Sequence, residues 1–127
     1  MTLNFNKISE MLMACEELKD TKMPFKLSLI LAKNIAALRS EQEFYIERER
    51  EFATTYLDTD ENGYFIQEKE NVFKIKDGME LECQEARNEL NKFESEINLR
   101  MIPMSLIENM EFTPSQLAAL EILIEEE

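Results

Sequence analysis

After Pro24 the chain runs from Phe25 to about Leu57 without a glycine or a second proline, and this stretch limits the fold more than any other feature. Proline is tolerated in the first turn of a helix, so the spacing predicts one helix of about nine turns. Its first half, FKLSLILAKNIAAL, is apolar on most sides and is expected to cross a core. Its second half, EQEFYIEREREF, keeps a single apolar stripe and is expected to project outward. Leu31, Ile35, Leu38, Gln42, Tyr45, Glu49, Phe52 and Tyr56 follow alternating steps of four and three, the seam of a coiled coil interrupted at Gln42 and Glu49. A second seam runs through Met79, Cys83, Ala86, Leu90, Phe93 and Ile97.

Other signals place shorter elements around these two. Ile8, Met11, Leu12, Cys15 and Leu18 mark a first helix. DTDENG, YFIQ, EKEN and VFKIK read as a turn followed by a β-hairpin over residues 63–76. Asp77 and Glu80 form a capping-box pattern opening a helix over 78–96. INLRMIP suggests a short strand or extended connection before Pro103. Thr113, Pro114 and Gln116 supply an N-cap, a first-turn proline and a capping partner for a final helix through Leu117, Leu120 and Ile124.

Composition agrees with a helical chain. Gly occurs twice, Pro three times and Val only at Val72, while 44% of residues are hydrophobic, enough for one core in 127 residues. The expected fold is therefore a single domain over 1–127, mainly α with a small β-hairpin. Two long antiparallel helices form a coiled-coil-like hairpin, with short N- and C-terminal helices at its base. A net charge of −13 repels a phosphate backbone, which argues against direct nucleic-acid binding and suits an approach to basic protein surfaces. MTLNFNKISEML lacks the pattern of a signal peptide, and no window approaches 18 apolar residues. Neither export by that route nor a membrane partner is expected. Cys15 and Cys83, each on an apolar stripe and in no CxxC pair, read as buried free thiols in a reducing compartment.

The chain has no histidine, which removes Ser-His and Cys-His catalysis and the common zinc sets. With no glycine-rich phosphate loop either, the reading is a non-enzyme with no cofactor. Asp58, Asp60, Asn62 and Gly63 match the first half of an EF-hand loop. The position that requires a bidentate Glu is Lys69, so the calcium signal is incomplete and an acidic turn accounts for the same letters. Lys22, Lys26, Lys33 and Arg39 gather near the start of the long helix. Lys26, Lys33 and Asn34 are the candidate contacts for a phosphate-bearing ligand such as a nucleotide. The competing reading is that these lysines neutralise Glu16, Glu17 and Asp20. The methionines read as core filling.

MPFKLSLILAKNIAAL, the acidic EREREF, the turn DENG and the closing EFTPSQLAALEILIEE together resemble a group of uncharacterised small helical proteins encoded by bacteriophages. The resemblance covers most of the chain and carries no site residue. It implies a phage origin and action in the host-cell cytoplasm. The expected function is binding of a host protein, of the takeover or anti-defence kind, through an acidic helical surface anchored by Tyr45, Phe52 and Tyr56. Exposure of Phe44, Tyr45 and Phe52 on the projecting seams would also favour a homo-oligomer. The alternatives are an oligomer that sequesters a small nucleotide signal and a virion-assembly or chaperone component, the latter by likeness of shape to prefoldin-type arms.

Overall fold

The computed structural model describes residues 1–126. It is mainly helical, at 57%, with four α-helices and three small strand pairs. The chain separates into two compact units, Met1–Glu43 with Glu94–Glu127 (unit 1) and Phe44–Phe93 (unit 2).

Unit 1 begins with strand β1 (Thr2–Asn4) and helix α1 (Phe5–Leu18). The helix starts three residues before Ile8 because the Asn4 side chain accepts the backbone N–H of Lys7 at 2.8 Å, capping an otherwise unpartnered donor. Ile8, Met11, Leu12, Cys15 and Leu18 fall on one face and are buried. Burying such side chains contributes about 1.5–3 kcal/mol each, against the entropy of ordering the helix. Helix α2 (Phe25–Tyr56) supplies Leu27, Ile30, Leu31, Ile35 and Leu38 to the same core before its remaining turns enter unit 2.

β1 pairs antiparallel with β4 (Glu94–Glu96), and the Thr2 hydroxyl donates to the Glu96 carboxylate at 2.6 Å. This pairing was not expected from the sequence, because three-residue strands carry too little periodicity to read. β5 (Ile102–Pro103) lies in the INLRMIP segment and pairs parallel with β6 (Ile124–Glu125). Helix α4 (Pro114–Leu120) opens on the expected capping box, the Thr113 hydroxyl accepting from Gln116 N at 3.1 Å and the Gln116 side chain from Thr113 N at 2.9 Å. It stops short of Ile124, whose backbone is drawn into the pairing with Ile102.

In unit 2, the end of α2 leads through a bridge between Thr59 and Phe65 to strands β2 (Gln67–Lys69) and β3 (Val72–Phe73). Their two-residue turn places Asn71 at φ 61°, a conformation that Asn tolerates better than most residues. The expected hairpin is present. Helix α3 (Glu80–Lys92) is shorter than 78–96 and does not use the Asp77–Glu80 box. Gly78, at φ +80°, turns the chain between Lys76 and Met79, so Met79 becomes the N-cap, with no side-chain cap bond. At the other end Phe93 is extended and the chain passes directly into β4.

Candidate protein-binding groove

Within unit 2 the end of α2 and helix α3 are joined by a small set of specific contacts. Tyr45 is buried, and its hydroxyl donates to the carbonyl oxygens of Leu90 and Phe93 at the C-terminal end of α3, where the Leu90 carbonyl also accepts the N–H of Phe93. Its ring meets Phe93 edge-on, centroids 5.5 Å apart. One turn along, Arg87 holds Glu49 in a two-point ion pair at 2.7 and 2.9 Å, and its guanidinium lies 4.1 Å from the Phe52 ring centroid. Glu49, which interrupts the seam on paper, is therefore matched. The carboxylate raises the Arg87 pKa further, chiefly through its hydrogen bonds, and burial pushes the Tyr45 hydroxyl up, reinforced by Glu49.

Beside these contacts an open groove of about 440 Å³ runs along the helices, floored by Phe52, Tyr56, Ala86, Leu90 and Phe93 and edged by Arg48, Glu51 and Glu89. Phe52 and Tyr56, four residues apart, pack with ring centroids 5.3 Å apart. Arg48 is tied to Glu51 at 2.8 Å and lies over Phe44. Of the three residues expected to anchor a partner, Phe52 and Tyr56 line this groove and Tyr45 is spent inside the unit. Phe93 and Leu90 join them; their place on the second seam was the available signal.

No family model matches this chain, nor does any curated protein or solved structure. The chemistry must therefore be read from the side chains alone. Both thiols are buried, and burial pushes Cys15 up to about 11 and Cys83 in the same direction, so neither is an activated nucleophile at neutral pH. Asp58 accepts Thr59 N–H and pairs with Lys74 at 3.5 Å, while Asp60 accepts the N–H groups of Asn62 and Tyr64. These carboxylates build the turn, and among the described residues no group of three or more acidic, Cys or His side chains is disposed to hold a metal.

The residues proposed for a phosphate ligand do not converge. Asn34 is buried in unit 1, its amide donating to Arg100 O at 3.0 Å and accepting from Arg100 N at 2.7 Å, as a neighbouring strand would. Lys26 and Lys33 are exposed on another side of α2. Their expected neutralisation of Glu16 and Glu17 does not occur either. Glu16 binds Arg39 at 2.6 Å and Glu17 accepts from Gln116, while Lys22, Lys26 and Lys33 make no ion pair among the described residues. The void inside unit 1, about 10 Å³ and lined by residues such as Leu18, Leu31, Met110 and Phe112, holds one water at most and offers it no polar partner. Among the described residues no helix is long and apolar enough to cross a membrane.

Proposed function

We propose that the protein is a non-enzymatic binding protein whose unit 2 groove accepts an apolar face of a host protein. One observation carries this reading. In unit 2 only Tyr45 and Cys83 among the hydrophobic residues are fully buried, whereas Phe44, Phe65, Phe73, Leu81 and Phe93 are each at least 40% exposed. Large apolar side chains left uncovered mark an interaction surface; of these Phe93 lines the groove, beside the half-buried Phe52 and Tyr56, and the Phe52 ring is held by the Glu49–Arg87 pair.

The contacts of Tyr45 with Leu90 and Phe93, and of Glu49 with Arg87, support an antiparallel, coiled-coil-like pairing of α3 with the end of α2. Acidic residues outnumber basic ones between Phe44 and Phe93, which favours a partner with a basic rim. The likeness to small phage proteins supports a host-cell cytoplasmic site and a takeover or anti-defence role. Completing the burial of three part-exposed rings adds on the order of 1–2 kcal/mol each, too little by itself for micromolar binding, so the basic rim of the partner must contribute as well.

Thr55 lines the groove and is exposed, so a photo-crosslinking residue placed there reads its occupant directly in host cells. The expected result is a discrete adduct with a host protein that disappears when Phe52→Glu is added. Adducts that persist in the Phe52→Glu background, or a complete lack of adducts, would remove the proposal.

A further inference from the structure

The first half of α2 carries a second uncovered surface, made of unit 1 residues alone. Phe25 is 81% exposed and Leu29 38%, and Ala32 and Ala36 are also exposed. The spacing of four, three and four puts these residues within an arc of roughly 60° on a helix of 3.6 residues per turn. They form a straight apolar stripe three turns long, opposite the side that Leu27, Leu31, Asn34 and Leu38 turn into the core. Lys26 and Lys33 lie about 80–100° from its start, both on the same flank. Neither makes an ion pair among the described residues, in a chain whose net charge is −13.

We infer that this face docks an amphipathic helix of another protein that carries acidic residues along one edge of its own apolar stripe. Charge complementarity selects that occupant: two unpaired lysines seven residues apart call for two carboxylates at matching spacing. Ala32 and Ala36 let a second helix approach at close interaxial distance, with Phe25 and Leu29 as the apolar anchors at one end. An antiparallel second copy of this chain would bring Lys26 and Lys33 against the same lysines. An anionic lipid surface would have to meet the acidic remainder of the chain as well as the stripe. A single helix touches the stripe alone. This surface is independent of the unit 2 groove, so either can fail without the other.

The probes are two fluorescein-labelled synthetic amphipathic peptides with the same Leu/Ala stripe, one with Glu and one with Lys at the flanking positions. Binding to the full-length protein is followed by anisotropy. The expected result is about tenfold tighter binding of the Glu peptide, from two attractive pairs against two repulsive ones. The preference should invert in the Lys26→Glu/Lys33→Glu double variant, Phe25→Ser should weaken both peptides, and Phe52→Glu should change neither. All the altered positions except Phe52 are exposed on the helix surface, and protection of the buried Cys15 thiol verifies that unit 1 is intact. Equal binding of the two peptides, or no binding, overturns the inference. So does retention by phosphatidylglycerol vesicles that is lost in the double variant, or a dimer in light scattering that dissociates on Phe25→Ser.

Discussion

The two units use different means to hold themselves together. Unit 1 draws on α1, the first half of α2, α4 and its short strands to bury a continuous aliphatic core, with Ile8, Met11, Cys15, Leu38 and Leu123 all inaccessible to solvent. Unit 2 buries Tyr45 and Cys83 and otherwise depends on a chelated arginine, stacked rings and one tyrosine hydroxyl. At about 50 residues it lies where a hydrophobic core alone rarely suffices. Unit 1 closes its core within itself and leaves apolar side chains bare only on its outer faces, whereas unit 2 has almost no core beneath its exposed rings.

The most severe way to break this comparison is to separate the units. A chain with Phe44–Phe93 replaced by a Gly/Ser linker should keep a cooperative thermal transition and a protected Cys15, since the buried core cluster lies wholly outside the replaced segment. The isolated Phe44–Phe93 peptide should give a largely unfolded circular dichroism spectrum. A cooperative transition in the peptide and none in the shortened chain would reverse the assignment of stability.

Alkaline titration sharpens the contrast at smaller amplitude. Cys15 is raised from 9.0 to about 11, first by burial and then by Glu16, so the folded state keeps its proton where the unfolded state has lost it. Its contribution is complete below pH 9 and is lost as pH rises through 11. About 2–3 kcal/mol should disappear across that window in urea titrations. Cys15→Ala should flatten this part of the profile, and an unchanged slope would exclude the thiol as its source. The smallest effect is expected at the Glu49–Arg87 pair, whose side chains are each more than a third exposed. Glu49→Gln should cost under about 1 kcal/mol. All three tyrosines lie between Phe44 and Phe93, so tyrosine fluorescence reports this loss in unit 2 alone, and a shift several times larger would mean that the pair organises the whole unit.

Much of the secondary structure was readable because its signals are local. The Gly- and Pro-free run predicted α2, the Thr113–Gln116 box predicted the start of α4, and the turn residues predicted the hairpin. The strand pairs β1–β4 and β5–β6 were not readable, because two or three residues paired across the chain leave no periodic trace. For the candidate sites, what mattered was which face of a helix is covered. Asn34 follows Lys33 in the chain, yet successive helical residues point roughly 100° apart. Its spacing from Leu27, Leu31 and Leu38 already placed it on the core stripe. Tyr45 sat on the expected seam, but only its placement against the end of α3 shows that its hydroxyl is engaged. The Phe25–Leu29 stripe was hidden in a segment apolar on most sides, where no pattern separates the covered face from the bare one.

Unit 1 is discontinuous in sequence, and this bears on how the chain is made. Thr2 bonds to a carboxylate 94 residues away, so on the ribosome β1, α1 and the start of α2 emerge well before β4 and α4 exist to cover them. The loop that must close adds only slowly to the entropic cost, as the logarithm of its length, but the waiting time is set by translation at about 5–20 residues per second. For several seconds the nascent chain presents Ile8, Met11, Leu12, Leu27 and Leu31 without their later partners, and newly synthesised molecules are therefore expected to engage holding chaperones before α4 emerges.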